Sequence, residues 1–164
     1  MKLPISTGYW IFSCRPSDYE IEKFLQNSNE GPFTVASQFL DLIRPGQKGI
    51  LRIRKDTRPP EDLITRTKLI SGIYASVEVK SKPYLRKDAP SSMWLKNINF
   101  RQIYFIDLHY ENILLDDPIT LKDIKNDSIL NSEESLKSSI VSVPLTKGSY
   151  LRIMEIIKKR TIVA

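Results

Sequence analysis

The run Gly8-Tyr9-Trp10-Ile11-Phe12-Ser13-Cys14 is apolar without alternation, the pattern of a strand buried on both faces. Pro16 ends it. Ser17 followed three residues later by Glu20 has the form of a capping box, and Ile21, Phe24 and Leu25 then fall on one face of a helix. Asn27-Ser28-Asn29-Glu30-Gly31-Pro32 closes that helix in a loop. Phe33-Thr34-Val35 is a short apolar segment, and residues 37–43 suit a brief helix with Phe39, Leu40 and Ile43 inward. After the Pro45-Gly46 turn, Ile50-Leu51-Arg52-Ile53-Arg54 predicts a strand with a basic outer face. Residues 55–68 form a charged loop holding Pro59-Pro60.

Ile73, Ala75, Val77 and Val79 alternate with Tyr74, Ser76 and Glu78, a clear strand. A loop over 82–97 carries Tyr84 and Trp94, and residues 100–111 predict the longest strand. Residues 118–125 read as a short helix and 126–139 as a loop with a helical turn. Residues 140–143 read as an edge strand before Pro144, and Thr146 caps a last helix buried through Tyr150, Leu151, Met154 and Ile157. Mostly consecutive strands with helices at the ends predict an α+β fold with a strongly curved or barrel-like sheet.

At 164 residues the chain is expected to be one domain over 1–164. No apolar run approaches the roughly 18 residues of a membrane span, and the first residues lack the form of a secretory signal, so no membrane partner is expected. One cysteine and one histidine exclude an internal disulfide and the usual zinc site, so no cofactor or metal is expected and the setting is a reducing cytoplasm.

The charge is more informative. Lys and Arg exceed Asp and Glu by 25 to 19, for a net charge of +6. Between Arg44 and Lys87 stand 12 cations and 4 acids, whereas residues 111–134 are acidic, so one half of the fold is positive. Such an excess attracts phosphate backbones by counterion release. The same arginines also suit a merely solvated face. Trp10 belongs to the core by its setting, Phe33 suits core and pocket equally, and Trp94 with Met93 and Leu95 could be a satellite core cluster. Cys14 reads as a small buried hydrophobe. His109 lies near Asp107, but no nucleophile has the context to use the pair. Glu78-Val79-Lys80 with Asp56 upstream imitates the acids and lysine of metal-dependent nucleases, which need carboxylates converging on Mg²⁺. The pattern is short and common by chance.

Several of these segments occur together in a known order. The aromatic strand Tyr9-Trp10-Ile11-Phe12 leads into Arg15-Pro16-Ser17-Asp18-Tyr19-Glu20-Ile21, then Phe33-Thr34-Val35-Ala36-Ser37, then the turn Ile43-Arg44-Pro45-Gly46-Gln47. Gly72-Ile73-Tyr74-Ala75 follows, and Val143-Pro144-Leu145-Thr146 runs into the last helix. From about Gly8 to Lys158 the chain resembles the EVE domain, a PUA-like module related to YTH and ASCH domains. The resemblance implies a PUA-like curved, barrel-like mixed β-sheet flanked by helices. It also implies a non-catalytic module that recognises a modified base of DNA or RNA, expected to be methylated, in an aromatic pocket, with a separate effector protein as a further partner. Chemically, a flipped base offers two π-faces and a hydrogen-bonding edge.

By position, Phe33 resembles the first aromatic wall and Thr34 its polar neighbour. Trp94 is the second wall, with Tyr84 as its competitor, and Arg15 and Tyr19 match polar contacts to the base edge. Phe33 stands where the family has Trp, and Arg15 where some relatives have an amide. An amide prefers adenine, whereas arginine prefers guanine or an acceptor-rich edge. Arg52, Arg54, Lys55 and Arg58 are the expected phosphate contacts. The other readings are a metal-dependent nuclease or ASCH-like hydrolase, and a protein-interaction module with no nucleic-acid ligand.

Overall fold

The computed structural model of the chain describes residues 7–17, 20–63, 68–85, 103–137 and 142–162. In chain order the elements are β1 (Tyr9–Cys14), α1 (Ile21–Asn27), β2 (Glu30–Val35), a 3₁₀ turn at Ser37–Phe39, β3 (Lys48–Ile53), α2 (Pro60–Leu63), β4 (Gly72–Val79) and β5 (Tyr84–Leu85). Then come β6 (Tyr104–Tyr110), β7 (Ile119–Thr120), α3 (Leu121–Lys125), 3₁₀ turns at Leu130–Ser132 and Glu134–Lys137, β8 (Ser142–Pro144) and α4 (Lys147–Ile162).

The strands form one sheet in the order β2-β6-β4-β3-β1-β8, with β5 added to β6 and β7 to β4. β1 and β3 are parallel, and the other neighbours on that path are antiparallel. The sheet curls into a mixed half-barrel with a few helices, the α+β architecture expected from the order of elements.

The uninterrupted apolar run forms β1 because that strand lies inside the sheet with both faces covered. Trp10, Ile11 and Phe12 are fully buried, as are Ile50, Leu51 and Ile53 on β3. A Cβ on Gly49 would stand 2.5 Å from the Trp10 carbonyl oxygen, so only glycine allows the two strands this close at their entry. Ahead of β3, Gly46 turns the chain at φ +92°. Gln47 clasps that turn onto the core. Its Oε1 accepts from the Trp10 indole N–H at 2.8 Å and the Arg44 N–H at 2.9 Å, and its Nε2 donates to the Leu42 carbonyl at 3.2 Å. The Ile43–Gln47 motif is thus the anchor that satisfies the buried indole.

Several expectations change. α1 starts at Ile21 with Glu20 at the N-cap and no side-chain cap, so Ser17 and Glu20 form no capping box; Ser17 instead accepts a hydrogen bond from the Thr57 hydroxyl at 3.3 Å. The buried stripe of α4 is Tyr150, Ile153 and Ile157, and Leu151 is exposed. The strand predicted over 100–111 is β6, beginning at Tyr104, with 100–102 outside the described residues. The edge strand expected over 140–143 is β8, which includes Pro144 paired with Trp10, with 140–141 outside the described residues, and Thr146 Oγ1 accepts from the Ser149 N–H at 3.4 Å as an N-cap does.

Candidate nucleic-acid interface

Parallel pairing brings the C-terminal ends of β1 and β3 to one place. Cys14 lies opposite Ile53, and the Arg54 N–H donates to the Cys14 carbonyl at 2.9 Å. The two segments continue side by side to the Ser17–Thr57 hydroxyl contact. Arg15 and Lys55 are exposed along this edge and Arg54 is half-buried.

The loop that carries Lys55 is organised from inside by Asp56. Its carboxylate accepts from Arg58 Nε at 2.9 Å, Arg58 Nη2 at 2.6 Å, the Arg58 N–H at 3.1 Å and the Leu69 N–H at 2.9 Å. The Asp56 and Arg58 side chains are only 1% and 5% exposed. Burial by itself would push the Asp56 carboxyl up, but the Arg58 guanidinium and the two backbone N–H groups outweigh it and hold the carboxyl below its ordinary value. The hydrogen-bonded Asp56 carboxylate in turn raises Arg58, and Glu22 and Glu20 add to that effect. The Arg58 charge therefore faces inward, and this residue does not lie open to a phosphate as expected.

Arg52 also departs from expectation. β3 is an interior strand whose supposed outer face is covered by the Glu134–Lys137 turn. Arg52 Nη1 donates to the Leu136 carbonyl at 2.6 Å and its Nε to Ser13 Oγ at 2.9 Å. Burial pushes its guanidinium down to about 10, with Arg54 contributing. Arg52 fastens the turn to the sheet and presents no basic face to solvent.

Alternation along β2 separates the two residues expected to flank a base. Phe33 points into the core, 1% exposed and edge-on to Phe12 with ring centroids 6.0 Å apart. Thr34 points to the other face. There it lies opposite Phe105 of β6, and Phe105 lies opposite Tyr84 of β5, so the three share a face. The Tyr84 and Phe105 rings are 6.5 Å apart, and the Tyr84 hydroxyl donates to Asp107 Oδ1 at 2.6 Å. Thr34 and Tyr84 are thus brought together, along with Phe105 and Asp107, which the sequence reading did not select. The alternation of β6 carried the signal, since Phe105 and Asp107 sit on one face. Arg15 belongs to the opposite end: β1 ends beside the Gly72 end of the β3–β4 pair, whereas the Thr34–Phe105 row lies beyond Val79. Tyr19 and Trp94 lie outside the described residues.

The nuclease-like constellation does not assemble. Asp56 follows the end of β3 that pairs with Gly72, while Glu78 sits at the far end of β4 opposite Lys48. Glu78 is held there by Lys48 at 2.7 Å and by Lys80, and Lys48 also reaches Glu111 at 3.2 Å. Hydrogen bonds from Lys48 and Lys80 hold the Glu78 carboxyl down at about 2. Among the described residues no group of three His, Cys, Asp or Glu side chains is placed to hold a metal, and no helix is long and apolar enough to cross a membrane.

A family model of the EVE domain matches residues 8–156. The chain belongs to the EVE family. Solved structures share the fold of this EVE domain over nearly its whole length. A hypothetical protein from Leishmania major is 14% identical, with a TM-score of 0.61 over 93% of this chain and 96% of that one. A protein from Pseudomonas putida is 15% identical, with a TM-score of 0.60 over 91% and 99%. Human THYN1, solved in complex with 5-methylcytosine-containing DNA, is 11% identical with a TM-score of 0.56 over 91% and 96%. No curated protein matches the sequence. The EVE domain has the PUA-like α+β fold of these neighbours.

Proposed function

We propose that this EVE domain is a non-catalytic module that binds nucleic acid carrying a modified, methylated base. The observation that carries the reading is the shared fold, over nine-tenths of the chain, with a family neighbour solved on methylated DNA. Trp94 and Tyr84 stack on the base, Phe33 supports the site from the core side, and Thr34 contacts the base edge, while Tyr19 meets the polymer on the Arg15 side. Arg15, Arg54 and Lys55 meet phosphates. A separate effector carries whatever chemistry follows recognition.

The reading is tested by titrating the protein with matched oligonucleotides, methylated and plain, single- and double-stranded, at moderate salt. The expected result is a preference of about tenfold or more for one modified form, worth about 1.4 kcal/mol, that is lost in Trp94→Ala while salt-sensitive binding persists. Equal, salt-dependent affinity for every strand overturns it.

A further inference from the structure

We infer that the side-by-side ends of β1 and β3 form a preorganised clamp for the phosphodiester backbone, made by Arg15 and Lys55 and held in shape by Asp56 and Arg58 as positioning residues. The inference rests on the nucleic-acid reading above and assigns its backbone contacts. Of the four basic residues that the sequence marks for phosphate, Arg52 and Arg58 are turned inward by their hydrogen bonds and Arg54 is half-buried, whereas Lys55 is exposed on a segment that runs alongside the one carrying the exposed Arg15. The Arg54–Cys14 backbone bond and the Ser17–Thr57 hydroxyl contact fix two chain segments next to each other, so the two exposed cations follow the ends of two paired strands at one end of the sheet.

The acid within that loop does not cancel them. Asp56 has both oxygens engaged by Arg58, with backbone N–H groups completing the set, and its side chain is 1% exposed. Glu20 and Glu22 act on Arg58 from the α1 side. The loop is thus braced from beneath by a neutral pair. Cations mounted on braced backbone lose less freedom on meeting phosphate than the same cations on a mobile loop.

The test is the salt dependence of binding, measured with the full chain on a short unmodified DNA duplex and on a matched unmodified single-stranded RNA. Each lost phosphate contact lowers the slope of log K against log salt by about 0.9 on the duplex and about 0.7 on the single strand. Arg15→Ala and Lys55→Ala are expected to do so on whichever polymer is bound, and Lys80→Ala, an exposed cation at the other end of β4, is expected to leave the slope unchanged. Unchanged slopes in the first two, or an equal drop in the third, overturn the clamp. The positioning role is read from Asp56→Asn and Arg58→Lys, each checked for a native melting transition. Asp56→Asn makes the protein more positive, so charge attraction by itself strengthens binding, whereas positioning weakens it several-fold. Tighter binding by Asp56→Asn, or unaltered binding by a folded Arg58→Lys, overturns that role. Arg15 and Lys55 are exposed, so their variants carry the test of the clamp whether or not Asp56→Asn folds. Because the strands are unmodified, the slopes do not depend on any preference for a methylated base.

Discussion

The two ends of the β3–β4 pair carry charge clusters that each balance acids with bases and differ in physical character. At the Gly72 end, Asp56 and Arg58 meet in a two-pronged contact, almost wholly buried, with backbone N–H groups filling the remaining acceptor sites of the carboxylate. At the Val79 end, Lys48, Lys80, Glu78 and Glu111 form a chain of ion pairs whose side chains are 22–44% exposed. Water screens the second cluster and can replace any member of it. The first has no such substitute, because removing one partner leaves the other charged and dry. Charge balance does not distinguish the two ends; burial and backbone anchoring do. The buried cluster sets the shape of a loop, while the exposed one decorates a surface.

The strongest way to break this comparison is Arg58→Ala. It leaves Asp56 buried without its counter-ion and is expected to cost about 3–5 kcal/mol of unfolding free energy in denaturant titration; a loss no greater than that of a surface substitution would place the pair with the exposed network.

Acid sharpens the comparison next. Asp56 and Glu78 both have folded values below their unfolded ones. Each therefore contributes stability that is complete above the ordinary carboxylate range and is lost as pH falls through the folded value. For Glu78 the window runs from its ordinary 4.5 down to about 2. Thermal melting across that range is expected to show falling stability in the wild type. The decline is expected to persist in Glu78→Gln, because Asp56, Asp123 and Asp127 are also held below their ordinary values in the folded protein; a flat acid limb in that variant would assign the whole effect to the exposed cluster.

The smallest effect belongs to Lys80→Ala, expected to change stability by no more than about 0.5 kcal/mol. A loss of several times that size would show that the exposed pairs act as a cooperative network.

Much of the architecture was legible along the chain. The unbroken run Tyr9–Cys14 reports a strand covered on both faces, the alternation over residues 73–79 reports β4, and Pro45-Gly46 reports the turn before β3. The order of these segments identified the EVE family, which the match over residues 8–156 bears out. Helix starts were less legible: a Ser17–Glu20 pattern exists, but the Ser17 hydroxyl found a partner in Thr57, forty residues away.

Orientation was the part that required the third dimension. Thr34 and Phe33 are neighbours in sequence and point to opposite faces, so Thr34 joins Tyr84 while Phe33 enters the core. Arg52 reads as a surface cation until the Glu134–Lys137 turn is laid over β3 and takes its guanidinium hydrogen bond. By itself the sequence determined the longer elements, their order and the family, because those depend on local periodicity and on the spacing of short motifs. Which cations face water, and which residues share a face, only the tertiary structure decided, because both depend on what the sheet places opposite and above each side chain.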